Sequence, residues 1–175
     1  QLPSNEWAFP LLEKLPLNRY KFLYHEENNT IAGVRGSYEL SFSISKGCPY
    51  KCWYCQVPRK DGSKERRRPV DLVIEYLKNT CMNYSFDQVA FFSPTFTLDR
   101  EWVFDFCDNM ITQEIRLPWR CVTTQVDLDS ELIKHMADAG CWRIGIGIET
   151  MNPALQKKLG KRVINTEIPK LISNL

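Results

Sequence analysis

Between Tyr38 and Lys46 apolar and polar residues alternate, with Tyr38, Leu40, Phe42 and Ile44 on one side and Glu39, Ser41, Ser43 and Ser45 on the other. That period of two predicts a strand. Pro69 then opens a helix of about 14 residues, in which Val70, Val73 and Leu77 recur on one face. The pattern repeats. Asp87 to Ser93 (DQVAFFS) reads as a second strand, and residues 99–113 as a helix with Trp102, Val103, Phe106 and Met110 on one side. Trp119 to Thr124 gives a third strand, and Ser130 to Ala139 a third helix that Gly140 stops. The RIGIGIE run at 143–149 gives a fourth strand, and the helix after it is expected to reach Leu175. Strands alternating with helices of this length predict an α/β fold around a parallel sheet. Residues 1–37, punctuated by Pro3, Pro10 and Pro16 and with a turn expected at Gly33 and Gly36, read as a lead-in segment before a core at 38–175.

In parallel sheets and barrels, ligands sit beyond the carboxyl ends of the strands. Each of the four strands runs into polar residues there: the first into a cysteine loop, the second into Ser93, Pro94 and Thr95, the third into Thr123, Thr124 and Gln125, and the fourth into Glu149 and Thr150. Those positions converge on one face.

Composition narrows the classes. With 43% hydrophobic and 25% charged residues and no apolar run near the roughly 20 residues of a membrane span, the chain reads as globular, with no membrane partner. A net charge of +2 gives no global field to recruit nucleic acid or anionic lipid. The segment Arg59 to Arg68 carries six basic and two acidic residues, a local +4, but no interleaved aromatics. It reads as a solvated loop, and nucleic acid is not an expected partner. Phe91, Phe92 and Phe96 read as core. Seven cysteines, an odd count, and no secretory signal at the N-terminus point to a reducing cytoplasm rather than a disulfide framework.

Three of those cysteines, Cys48, Cys52 and Cys55, form a CxxxCxxC array in the loop after the first strand. Cys81, Cys107, Cys121 and Cys141 are scattered, as are His25 and His135, so no second ligand pair completes a structural zinc site. Iron–sulfur clusters normally take four cysteines, and three local ones leave one iron open to an exogenous ligand. An open metal position means chemistry rather than scaffolding.

The array, with the aromatic Tyr54 before its last cysteine, resembles the signature of the radical S-adenosylmethionine (radical SAM) superfamily. The resemblance implies a 4Fe-4S cluster held by Cys48, Cys52 and Cys55, whose open iron is chelated by the amino and carboxylate groups of S-adenosylmethionine. It implies a partial six-unit barrel of TIM type, of which about four strand–helix units fall in this chain, so that the core lacks its last strands and belongs to a longer protein or is completed by a partner. Cofactor contacts carried over to this sequence are Tyr54, Ser93, Pro94, Thr95, Thr124, Gln125 and Glu149. Ser93 to Thr95 would meet the methionine amino group, and Glu149, whose carboxylate presents only acceptors, would take the two ribose hydroxyls. Tyr54 would pack near the adenine or shield the cluster from water. The expected activity is reductive cleavage of S-adenosylmethionine to start radical chemistry, with electrons from an external donor of flavodoxin or ferredoxin type and an unidentified substrate. Residues 1–25 and the stretches SPTFTLDR and WRCVTTQVDLDSELIKHMADAGCWRIGIGIET also resemble the cobalamin-dependent group, in which methyl transfer or rearrangement would use cobalamin bound outside these residues. The alternative from another class is a non-catalytic module, either an electron-transfer iron–sulfur protein or a zinc-binding domain.

Overall fold

The computed structural model describes residues 2–25, 30–31, 34–35, 37–161 and 163–173. The turn expected at Gly33 and Gly36, the side chain of His25, and Leu175 lie outside them. Four strands form the central sheet: β1 (Glu39–Ser43), β2 (Gln88–Phe92), β3 (Trp119–Thr123) and β4 (Cys141–Ile146). All neighbours are parallel and the spatial order is β1-β2-β3-β4, as in the sequence. Three helices connect them: α1 (Val70–Asn83), α2 (Arg100–Thr112) and α3 (Ser130–Asp138). An order that never reverses is that of an opened barrel rather than a doubly wound sheet.

The alternation in sequence becomes two faces in space. Leu40, Phe42, Val89, Phe91, Trp119 and Cys121 are buried in one core with Val73 and Leu77 of α1, Val103, Phe106 and Met110 of α2, and Leu132 and Met136 of α3. Aromatic rings fill its centre. Trp119 lies edge-on to Phe106 at 5.5 Å, and its indole donates to the Ala139 carbonyl at 2.9 Å. Asp99 and Asp129 cap α2 and α3 by accepting from the Trp102 and Leu132 amides at 3.1 and 2.9 Å, so both helices start where a short acidic side chain meets an apolar run. The opposite, concave face carries Ser41, Phe92, Val122 and an ion pair between Arg120 and Glu39 at 2.6 Å.

Several expectations are corrected. The first strand leaves the sheet after Ser43, and Ser45–Lys46 turns to pair antiparallel with Arg66–Arg67. The fourth strand is Cys141–Ile146 rather than 143–149: it starts two residues earlier, with a bulge at Trp142 opposite Trp119 and Arg120, and ends at Ile146 because its partner β3 ends at Thr123, the residue paired with it. Glu149 therefore lies in a loop. The single helix expected after β4 is two, α4 (Pro153–Leu159) and α5 (Ile168–Ser173), because Gly160 adopts the left-handed conformation that ends α4. Phe92 is 59% exposed rather than core, since β2 turns it to the concave face.

The basic run is no solvated loop either. Arg68 is buried, its guanidinium group donating to the carbonyls of Ser43 (2.8 Å), Trp7 (2.6 Å) and Ala8 (2.8 Å). Arg67 donates to the carbonyls of Phe96 and Thr95 and pairs with Glu65. Only Arg59, Lys60 and Lys64 of the six are exposed. Arg68 and Tyr76 together fasten residues 7–12 to the sheet edge: Arg68 holds the Trp7 and Ala8 carbonyls, Phe9 stacks on Tyr76 at 4.4 Å, the Tyr76 hydroxyl donates to the Pro10 carbonyl, and Leu12 is buried.

Candidate metal and cofactor site

The cysteine loop begins where β1 and its hairpin end. Gly47, at φ +85°, lets the chain pass the Lys64 carbonyl so closely that a Cβ would lie 2.2 Å from that oxygen. The Cys48 amide then donates to the Gly62 carbonyl at 3.1 Å. Cys48 is buried and its sulfur lies 4.0 Å from the Thr95 hydroxyl beyond β2, whereas Cys52 and Cys55 are partly exposed. Burial pushes the Cys48 thiol up; hydrogen bonds from the Tyr50 amide and Thr95 oppose this, and the neighbouring Cys55 and Cys52 add to it. All seven cysteines are free.

The far side of the loop rests on the end of α4. The Trp53 amide donates to the Leu159 carbonyl at 3.2 Å, the Cys52 thiol faces the Gly160 carbonyl at 3.8 Å, and a Cβ on Gly160 would approach the Lys51 carbonyl to 2.8 Å. Gly160→Ala combines that contact with a left-handed backbone at φ +66°. It is expected to cost about 1–2 kcal/mol in chemical denaturation and to lower the iron bound on reconstitution. Wild-type stability and iron content together would rule the contact out as an anchor.

The other candidates gather at the same end of the sheet, in different states of engagement. Ser93 shares a 2.6 Å hydrogen bond with Ser45, Pro94 is half-buried, and Thr95 is buried beside Cys48. Thr124 and Gln125 are buried with their polar groups committed to protein. The Thr124 hydroxyl donates to Asp127, and Gln125 exchanges hydrogen bonds with the Ile164 backbone at 3.1 and 2.8 Å. Glu149 stands at φ +64°, an uncommon conformation for a residue with a side chain, and its carboxylate lies 3.4 Å from the Lys161 ammonium. Burial first, then the neighbouring Cys52 and Glu149, push the Tyr54 phenol up, and both groups lie within hydrogen-bonding reach of its hydroxyl.

Sequence reading missed Lys161, Tyr50, Asp127 and Gly160. Only Gly160 carried a signal, as the helix-ending glycine of a Lys-Leu-Gly-Lys stretch; the rest are recognisable only once the loops are folded together. Among the described residues, no three His, Cys, Asp or Glu side chains converge on a point that a single metal ion would occupy. Three thiols on one backbone-anchored loop suit a polynuclear cluster, in which each thiolate meets a different iron, better than tetrahedral zinc.

The radical SAM superfamily model matches residues 42–170, and the chain belongs to that superfamily. Membership carries a 4Fe-4S cluster and S-adenosylmethionine as cofactors. An uncharacterized methyltransferase of Pyrococcus horikoshii is 24% identical over 159 residues, which is 91% of this chain and 32% of the relative. The cytidylyl-2-hydroxyethylphosphonate methyltransferase of Streptomyces wedmorensis is 27% identical, covering 89% of this chain and 30% of that protein. The chain thus spans about a third of these relatives. Among solved structures, the radical S-adenosylmethionine methyltransferase TsrM of Kitasatospora setae superposes with a TM-score of 0.71 at 16% identity, over 79% of this chain and 28% of that one. The cobalamin-dependent radical enzyme OxsB gives 0.62 at 19% identity, over 74% of this chain and 21% of that one. These likenesses establish the partial-barrel fold.

Proposed function

We propose that this chain is the cluster- and S-adenosylmethionine-binding part of a radical SAM methyltransferase. The observation that carries the reading is the placement of the Cys48–Cys55 loop at the carboxyl end of an opened parallel barrel, with the buried Cys48 sulfur beside Thr95. Cys48, Cys52 and Cys55 hold the cluster. Ser93 to Thr95 receive the methionine end of the cofactor, and Glu149, with Tyr54 nearby, receives the ribose. Lys161 holds the Glu149 carboxylate in place and partly offsets its charge. Thr124 and Gln125 serve the site by fixing the loops around it, their polar groups being engaged elsewhere. A cluster held by Cys48, Cys52 and Cys55 would, when reduced, supply the electron for reductive cleavage of S-adenosylmethionine that starts radical chemistry on the substrate.

Methyl transfer is favoured by the names of the curated relatives, and the superposition on TsrM and OxsB favours assistance by cobalamin. We assign residues 1–37 as the connector that leads into the 38–175 core. The electron comes from a donor of flavodoxin or ferredoxin type. Lys51, Arg59, Lys60, Lys64, Lys157 and Lys158 are all exposed on segments that adjoin the cluster loop, a charge that suits an acidic donor. A reducing, cytoplasmic setting accords with the free thiols. No helix among the described residues is long and apolar enough to cross a membrane.

Anaerobic reconstitution of the full protein tests the reading. Iron and sulfide in equal amounts, and methionine with 5'-deoxyadenosine after adding dithionite and S-adenosylmethionine, are the expected results. Zinc without sulfide, or a cluster indifferent to S-adenosylmethionine, would refute it.

A further inference from the structure

The two halves of the cysteine loop are held by different means. From Lys51 to Cys55 the backbone rests on the end of α4, through the close pass of Gly160 to the Lys51 carbonyl and the Trp53 amide. Between Cys48, whose amide donates to the Gly62 carbonyl, and Lys51, the holding group is a side chain. The Tyr50 hydroxyl lies 2.9 and 2.8 Å from the two carboxylate oxygens of Asp127 and donates to that group, to which the Thr124 hydroxyl also donates. Asp127 closes the short turn Gln125–Asp127 directly after β3, so this contact ties the loop to the far half of the sheet, 77 residues along the chain. Hydrogen bonds to an ionised acceptor are about twice as strong as neutral ones. Tyr50 and Asp127 are both half-buried, which limits competition from water.

Cys48 is fixed by its own burial, and Cys52 is not. Of the three residues between them, Pro49 and Lys51 are exposed, and Tyr50 is the one whose side chain reaches back to the sheet. We propose that Tyr50 and Asp127 are positioning residues for the cluster, setting where the Cys52 thiolate stands relative to Cys48. The inference rests on the cluster reading above for its functional sense, whereas the anchoring of the loop can be measured without metal.

Tyr50→Phe removes one hydroxyl and little volume. In the metal-free full protein, amide hydrogen exchange in the peptide spanning Pro49 to Cys52 is expected to rise about tenfold, with exchange in β1–β4 unchanged. Asp127→Ala should raise it at least as much, since it also frees the Thr124 hydroxyl, the double variant should add nothing to Asp127→Ala because the Tyr50–Asp127 contact is already gone, and Asp127→Asn, which keeps one acceptor, should have the smaller effect of the two Asp127 variants. After reconstitution, Tyr50→Phe should retain iron and sulfide but show a reduced response of the reduced cluster's electron paramagnetic resonance spectrum to S-adenosylmethionine. Wild-type exchange in Tyr50→Phe, or additive effects in the double variant, would overturn the anchor. Faster exchange with an undiminished spectral response would overturn the positioning role and leave a latch of structural value alone. If wild-type protein assembles no cluster, the function proposed above fails and the positioning role with it.

Discussion

Cys52→Ala is expected to abolish the iron–sulfur absorbance of the reconstituted protein and to lower reductive cleavage of S-adenosylmethionine more than about 100-fold. Loss of a supporting contact to a metal ligand already costs 10–100-fold, and here the ligand itself is lost. The same change should leave the fold intact. Cys52 is partly exposed, and its sulfur meets the Gly160 carbonyl, at a long 3.8 Å, and the neighbouring Tyr54, so its removal opens no core cavity. Urea denaturation of the metal-free variant should therefore overlay wild type within about 0.5 kcal/mol. Cys81→Ala is the matched control. Cys81 is an exposed cysteine on α1, outside the loop, and replacing it should change neither absorbance nor cleavage. Cluster formation and cofactor cleavage that survive Cys52→Ala would contradict the assignment of the CxxxCxxC loop as the metal site.

The separation of function from stability at Cys52 follows from how the chain divides its labour, and the same division explains what could be read in advance. Elements whose faces are set by burial are legible. The alternation of Leu40 and Phe42 with Ser41 located β1, and Val70, Val73 and Leu77 located α1, because one core selects those positions. The cysteine loop was legible for a different reason, since cluster ligands must be cysteines at short spacing. Legibility fails where a residue's role depends on distant backbone. Phe92 looks like Phe91 in sequence, but the pleat of β2 sends one into the core and the other, 59% exposed, onto the concave face. The end of β4 was misplaced because the strand stops at Ile146, where its partner β3 ends at Thr123, and the RIGIGIE pattern carries no mark of how far the neighbouring strand extends. Thr124 and Gln125 stand at the expected end of the sheet, but their partners, Asp127 and the Ile164 backbone, fix them in supporting roles that spacing cannot disclose.

Arg68 is the sharpest case of that failure, and its replacement carries the largest expected loss of stability. In sequence it ends a basic run; in the fold its side chain is enclosed and donates to three backbone carbonyls from two remote segments, Ser43 on one side and Trp7 and Ala8 on the other. Its charged group also lies 3.9 Å from the centre of the Phe9 ring. Burial lowers the affinity of Arg68 for its proton, but an arginine side chain remains charged at neutral pH. Arg68→Met keeps much of the aliphatic stem and strands those carbonyls without a donor. At about 1 kcal/mol each, the low end for a buried unsatisfied acceptor, the loss is about 3 kcal/mol. Arg68→Lys retains the charge but not the planar fork, so it can serve fewer of the acceptors and should fall between the two. Chemical denaturation measures the order, and limited proteolysis reports its cause: the segment from Trp7 to Leu12, no longer fastened, should be cut well before the core. The consequence reaches the site, because the Ser43 carbonyl that Arg68 holds lies at the end of β1, five residues before Cys48. The variant should therefore also bind less iron on reconstitution than wild type. Wild-type stability for Arg68→Met, with residues 7–12 still protected from protease, would show that the three carbonyls find other donors and that the arginine is not what fastens this segment to the sheet.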